Sequence, residues 1–128
     1  MLKIKSYVKV NSIEEAYELN QKKTAIVLGG MVWLKMGNRN ISTAIDLSGL
    51  GLAGIQETDE EFVIGCMTTL RELETDKRLN EYTQGAVRES VRHIVGVQFR
   101  NCATVGGSIW GRYGFSDVLT MFLGMDTW

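Results

Sequence analysis

A chain of 128 residues has room for about one ordinary domain and can bury roughly two thirds of the surface its unfolded form exposes, so it needs neither disulfides nor a structural metal to fold. Its 45% hydrophobic and 23% charged residues describe a soluble globular composition, and 14 Lys and Arg against 15 Asp and Glu, in no long block, leave a net charge of -1 and no basic footprint for nucleic acid. No apolar run approaches the ~18 residues of a membrane span, and Met1 to Lys5 alternates Lys with apolar residues instead of building a signal-peptide core, so no membrane partner and a cytoplasmic location are expected.

The first elements read as α/β. Leu2, Ile4 and Tyr7 to Val10 suggest extended pieces. Ser12 followed by Glu15 forms a capping-box pattern that opens a helix ending near Lys22, with Ile13, Ala16 and Tyr17 at helical spacing. Thr24 to Leu28 is a short apolar strand, and the order strand, helix, strand implies a small parallel unit with a crossover. Gly29-Gly30 ends that strand. Met31 to Met36 predicts a turn or two of helix with Gly37 left-handed at its end, and Thr43 to Leu47 returns as a second buried strand. Residues 1–50 therefore form an N-terminal α/β subdomain.

Residues 51–128 change character. Ile55 to Glu57 and Phe62 to Gly65 alternate around Thr58-Asp59-Glu60 as a hairpin with an acidic tip. Thr69 and Glu72 form a second capping box before Leu70 and Leu73. Tyr82, Ala86, Val87, Val91 and Ile94 trace one face of a longer helix closed by Gly96. Phe99 to Val105 leads into Gly106-Gly107 as a strand would. Ser116 then opens a last helix through Asp117, Leu119, Phe122 and Leu123 to Gly124, and Met125 to Trp128 resemble the start of a strand. The whole predicts an α+β fold: a small βαβ unit followed by a partial antiparallel sheet with helices.

Cys66 and Cys102 lack CxxC spacing and His93 is the only histidine, so no metal site is expected; both thiols read as small buried residues. Glu57, Asp59, Glu60 and Glu61 read as a charged hairpin tip, Arg88, Glu89 and Arg92 as a solvated helix face, and Trp33, Trp110 and Trp128 as packing residues before stacking ones. No catalytic side chain stands out. The useful signal is the two glycine pairs. A Gly-Gly turn that follows a strand and opens a helix presents several backbone N–H groups to one point with no side chains in the way, and two such turns converging would hold a pyrophosphate without Lys or Arg. Neither pair fits the G-x-G-x-x-G or G-x-x-x-x-G-K-[ST] spacing.

Five segments occur in a fixed order: Ala25-Ile-Val-Leu-Gly-Gly-Met-Val-Trp-Leu-Lys35, Ile45-Asp-Leu47, Ile64-Gly-Cys-Met-Thr-Thr-Leu-Arg-Glu-Leu73, Arg100-Asn-Cys-Ala-Thr-Val-Gly-Gly-Ser108 and Ser116-Asp-Val-Leu-Thr-Met-Phe-Leu-Gly-Met-Asp126. Together they resemble the FAD-binding subunit or domain of the molybdenum hydroxylases, the xanthine dehydrogenase and carbon monoxide dehydrogenase medium-subunit family with its PCMH-type FAD-binding domain. Arg100 to Gly107 carries the resemblance most specifically, because the family's second flavin loop reads Arg-Asn-x-Ala-Thr-Ile-Gly-Gly-Asn.

The resemblance implies FAD as cofactor, cradled by Leu28, Gly29, Gly30, Met31, Val32, Trp33 and Leu34 from one loop and by Ala103, Thr104, Gly106, Gly107 and Ser108 from the other. Thr104 would place a hydroxyl near the phosphates, Asp117 would bond the sugar part, and Thr68 and Thr69 would form a threonine turn nearby. Met31 and Val32 stand where the family usually has Thr-Asp, and Ser108 where it has Asn. It further implies electron relay from iron-sulfur centres through flavin to an acceptor such as NAD, with a molybdopterin-binding large subunit and a 2Fe-2S small subunit as partners. Family members continue well beyond this length, so the chain is expected to be an N-terminal part that is inactive alone, holds FAD weakly and associates with another chain or with itself through an open sheet edge. The alternative is a degenerate relative acting as a non-enzymatic assembly module.

Overall fold

A computed structural model describes all residues from Met1 to Trp128. The chain divides into two compact units, Met1–Leu52 and Ala53–Trp128. In the first, β1 (Lys3–Lys9), α1 (Ile13–Asn20), β2 (Ala25–Leu28) and β3 (Asn40–Asp46) follow one another, with a single 3-10 turn at Leu34–Met36 before β3. The sheet order is β1-β3-β2 and both pairings are parallel. The crossover through α1 thus leaves a gap between β1 and β2, and the more fully buried β3 fills it.

Local chemistry explains the boundaries. Ser12 Oγ accepts from the Glu15 amide at 3.1 Å while the Glu15 carboxylate accepts from the Asn11 amide at 2.8 Å, satisfying two donors that a helix start otherwise leaves exposed. Two small cores lie along the sheet. Val10, Ala16, Ala25 and Ile45 pack with Val8, Leu19, Leu47 and Leu50; Leu28, Ile41 and Ala44 pack with Leu2, Ile26, Met31 and Leu34.

The second unit opens with an antiparallel hairpin, β4 (Ile55–Glu57) and β5 (Phe62–Ile64). Thr58 makes its tip, its Oγ1 accepting from the amides of Glu60 and Glu61 at 3.3 and 3.0 Å. Six short helices follow: α2 (Leu70–Thr75), α3 (Lys77–Tyr82), α4 (Ala86–Val91), α5 (Val97–Cys102), α6 (Val105–Gly111) and α7 (Asp117–Gly124). Their buried residues are Leu70, Leu73, Leu79, Val87, Val91, Val105 and Val118, with Arg100 the one charged member. The fold is α+β as expected. No helix is long and apolar enough to cross a membrane.

Five expectations need correction. Gly37 is extended, not left-handed; Met31 takes the left-handed conformation instead, at φ 60°. The long helix expected over Tyr82 to Ile94 is two helices separated at Thr83–Gly85, where Gln84 and Gly85 both have positive φ, and Tyr82 is exposed. Asn80 sustains that break by donating to the carbonyls of Leu73 and Asp76 at 2.9 and 2.7 Å and accepting from the Arg88 amide at 2.8 Å. Most of Phe99 to Val105 belongs to helices α5 and α6, with only an isolated bridge at Thr104. Met125 to Trp128 form no strand. Cys66 and Cys102 are exposed.

Candidate functional site

The first glycine pair leaves the sheet where β2 ends, at Leu28, whose register partner is Asp46 at the end of β3. This is the carboxyl edge of a parallel sheet, the position at which open α/β sheets take ligands. The turn that follows bonds within itself from Lys35 onward: Lys35 N to Met31 O at 2.9 Å, Met36 N to Trp33 O at 3.1 Å and Gly37 N to Leu34 O at 3.1 Å. None of these bonds uses the amides of Gly29 to Val32. Met31 holds its left-handed backbone at a cost of roughly 1–2 kcal/mol, and its side chain and that of Leu34 pack on the Leu28, Ile41 and Ala44 cluster. The strain is local and the packing that sustains it is visible.

At the same edge, Asp46 accepts from the Ser48 amide at 2.8 Å, from Ser48 Oγ at 3.0 Å and from the Tyr7 hydroxyl. The Tyr7 bond holds the Asp46 carboxyl below its ordinary range against the opposing effect of burial, with Ser48 and the Lys9 charge adding to it. The same bond raises Tyr7 above the usual phenol range.

The second glycine pair is built differently. Thr69 and Thr104 form an antiparallel bridge; Leu70 N donates to Ala103 O and Val105 N to Thr68 O, both at 2.9 Å. The structure therefore brings Thr68 and Thr69 against Ala103, Thr104, Gly106, Gly107 and Ser108, as one assembly within the second unit. Thr68, fully buried, is held inside it: its hydroxyl donates to Gly54 O and accepts from Gly54 N, each at 2.9 Å. Thr69 forms a complete capping box with Glu72.

Gly106 and Gly107 sit in the first turn of α6, and the amides around them are directed inward. Gly106 N donates to Cys66 O at 2.8 Å, Gly107 N to Thr104 Oγ1 at 3.2 Å and Ser108 N to Thr104 O at 3.0 Å. The two glycines differ in what a side chain would meet. A Cβ at Gly106 would lie 2.8 Å from Cys66 O and 2.9 Å from Cys66 Cβ, whereas one at Gly107 would meet only Thr104 Oγ1, at 3.0 Å. Gly106 permits close packing of α6 on the Cys66 turn. Gly107, exposed, presents bare backbone to solvent, a surface that a ligand chain can approach closely.

Asp117 stands in the first turn of α7, behind the Ser116 cap. It lines an open groove between α4 and α7 with Glu89, Ser90, His93, Thr120 and Met121. Leu28 to Leu34 belong to the first unit.

Sequence reasoning missed one pair of residues. Arg100 is 5% exposed and clamps Glu74 from α5, with Nε to Oε2 at 2.8 Å and an NH2 nitrogen to Oε1 at 3.3 Å, while its other terminal nitrogen donates to Ile94 O at 3.1 Å. Arg71 adds a second, more exposed cation at 2.9 Å from Glu74 Oε1. The Arg100 bond lowers the Glu74 carboxyl below its ordinary range, overcoming burial, with Arg71 assisting. The signal available was an arginine inside the most specific motif of the chain, followed by a small-residue run.

Comparison with known proteins identifies the family and the fold. The family of FAD binding domains in molybdopterin dehydrogenase matches residues 2–127. The 6-hydroxypseudooxynicotine dehydrogenase complex subunit alpha of Paenarthrobacter nicotinovorans is 26% identical over 129 residues, covering 95% of this chain and 43% of its own. A crystal structure of the Cu,Mo-CO dehydrogenase in its cyanide-inactivated form superposes with a TM-score of 0.77 at 27% identity, over 87% of this chain and 41% of that one. Quinoline 2-oxidoreductase from Pseudomonas putida 86 shares the fold, with a TM-score of 0.69 over 81% of this chain and 38% of that one at 22% identity. The chain thus spans about two fifths of the length of the relatives it matches. On the match that runs almost from end to end, this chain belongs to the FAD-binding domain family of the molybdopterin dehydrogenases, and FAD is the cofactor of that domain.

Proposed function

We propose that this chain is the FAD-holding part of a molybdenum hydroxylase-like oxidoreductase, in which electrons from iron-sulfur centres pass through the flavin to an acceptor such as NAD. The observation that carries the reading is the family match over residues 2–127, in a chain that has one Gly-Gly pair in each of its two units. The first segment, Leu28, Gly29, Gly30, Met31, Val32, Trp33 and Leu34, supplies main-chain amides at a sheet's carboxyl edge. The second, Ala103, Thr104, Gly106, Gly107 and Ser108, supplies an uncluttered surface at Gly107, positioned by Thr68 and Thr69. Asp117 supplies an acceptor for sugar hydroxyls. FAD, when bound, brings the one- and two-electron chemistry that links the two ends of such a relay. The residues here orient it and do no chemistry of their own. A molybdopterin-binding large subunit and a 2Fe-2S small subunit are the partners this reading requires.

Titration of the purified chain with FAD, followed by flavin fluorescence, tests the cofactor assignment. Saturable binding of FAD, stronger than that of FMN or ADP, is the expected result; no uptake at millimolar FAD overturns it. A second reading, an assembly module without flavin, draws on exposed Trp110, Phe115, Leu123 and Trp128 near the end of the chain. Self-association by light scattering together with an absence of flavin binding would favour it.

A further inference from the structure

We infer that Arg100 and Glu74 form a buried strut that positions the second glycine segment for FAD, so that Arg100 is a positioning residue of the cofactor site without touching the cofactor. The inference rests on the reading that Ala103 to Ser108 contacts FAD. Its geometric basis is independent of that reading. Helices α2 and α5 are joined at two levels in antiparallel register. At one end Leu70 N meets Ala103 O at 2.9 Å beside the Thr69 and Thr104 bridge; at the other Glu74 meets the Arg100 guanidinium through two bonds of 2.8 and 3.3 Å.

Between these ties lie two residues of α5 and one turn of α2, so the end of α5 has no freedom to shift along α2. The glycine segment starts at that end. Ala103 caps α5, Thr104 opens α6, and the amides of Val105 and Gly106 are fixed on the carbonyls of Thr68 and Cys66, just ahead of α2. Both sides of the segment are therefore referenced to α2, and the strut sets α5 against it. A bidentate guanidinium–carboxylate pair suits this task because it fixes orientation as well as distance. The third bond, from Arg100 to Ile94 O at 3.1 Å, extends the constraint to the chain entering α5. Arg71, 40% exposed at its side chain, approaches the same carboxylate from the surface and is not needed for the register.

The test compares Arg100→Lys and Glu74→Gln with Arg71→Gln in the full chain, by FAD titration and by amide hydrogen exchange without FAD. Lys keeps the charge but loses the fork, and Gln keeps the shape but loses the charge, so Glu74→Gln remains informative where Arg100→Lys fails to fold. The expected result is at least tenfold weaker FAD binding in both strut variants. Exchange at Val105 and Gly106 should rise at least tenfold relative to the α4 amides of the same protein, and Arg71→Gln should change either quantity less than twofold. A uniform rise in exchange throughout the second unit makes the pair a general stabiliser and overturns the inference. FAD binding unchanged in a folded strut variant overturns it as well. If the wild-type chain takes up no FAD, the cofactor reading falls first and the positioning role with it, even where exchange responds locally; that pattern is distinct from either of the others.

Discussion

The two glycine pairs of this chain have the same dipeptide and each comes just after β-branched residues, yet they are used differently. Gly29-Gly30 follows a parallel strand and enters a turn whose internal bonds begin only at Lys35, with a left-handed Met31 behind it. Gly106-Gly107 lies within a capped helix whose first amides all bond to carbonyls or to Thr104 of the same unit. The first pair keeps amides available; in the second, Gly106 lets backbone approach backbone while Gly107 leaves a bare exposed surface whose amide is already used. A Gly-Gly motif therefore reports the absence of side chains, and only the hydrogen-bond accounting around it says whether that absence serves a ligand or a packing contact.

The largest effect is expected where the second assembly has no substitute. Thr68→Val removes a fully buried hydroxyl that serves both the amide and the carbonyl of Gly54. The Gly54 amide loses its partner while the Gly54 carbonyl keeps the Gly65 amide at 3.0 Å, and one buried donor left unpaired costs about 1–3 kcal/mol. Urea unfolding followed by circular dichroism measures it; an unchanged midpoint would show that water replaces the hydroxyl. Next come the two adjacent glycines. Gly106→Ala drives a methyl into a backbone carbonyl 2.8 Å away, and overpacking of that kind costs about 2 kcal/mol. Gly107→Ala meets only Thr104 Oγ1 at 3.0 Å; the roughly 1 kcal/mol that Ala gains over Gly in a helix offsets the contact, leaving stability within about 1 kcal/mol of wild type. FAD affinity should fall in Gly107→Ala all the same. Equal destabilisation by both substitutions would erase the distinction drawn between them.

Much of this architecture is legible from local chemistry. Ser12 with Glu15, Thr69 with Glu72, and Ser116 each mark a helix start that the structure contains, because a cap is a contact among residues close in sequence. The strands of the first unit are legible for the same reason. Illegible were the features set by distant partners. The apolar spacing from Tyr82 to Ile94 runs through a break that Asn80 sustains with bonds to Leu73, Asp76 and Arg88; Val87 and Val91 beyond the break are buried, but before it the buried residue is Leu79 and Tyr82 is exposed. Phe99 to Val105 looks extended because aromatic and β-branched residues favour strands, but a helix there places Arg100 on Glu74, 26 residues away. Of the candidate site, the motif residues of the second unit could be identified and their adjacency found. The direction of their amides could not, since it depends on Cys66 and Thr68.

Acid should separate the units. Glu74 is held below the ordinary glutamate value of 4.5, first by its bond to Arg100. A carboxylate with a depressed folded pKa contributes stability that is fully present above the unfolded value and is lost as pH falls through the folded one. The second unit should therefore begin to lose stability below about pH 4.5, and Glu74→Gln should flatten that limb. Urea midpoints measured between pH 6 and pH 3 check this; a Gln variant with the same acid slope as wild type would assign the loss to other carboxylates.

The smallest effect belongs to the carboxyl edge of the first unit, where Tyr7 and Asp46 share an exposed hydrogen bond. The bond lowers Asp46 from the ordinary aspartate value of 3.8 and raises Tyr7 from the ordinary phenol value of 10.0, so it acts at both ends of the pH range. On the acid side its contribution is complete above about pH 3.8 and fades as Asp46 is protonated below that. On the alkaline side the sign reverses: the stabilised form is the protonated phenol, so the contribution is complete below pH 10.0 and is lost as pH rises through the raised value in the folded chain. Tyr7→Phe should remove the alkaline limb and weaken the acid one, where Ser48 and the Lys9 charge still act, while leaving the sheet intact, because the bond is solvated and its loss strands no buried group. Tyrosinate absorbance during alkaline titration reads the alkaline limb directly, and a tyrosine lost from the late-titrating population in Tyr7→Phe is the expected change. A tyrosine lost instead from the population that titrates at the ordinary value would mean that the bond to Asp46 does not hold the Tyr7 proton.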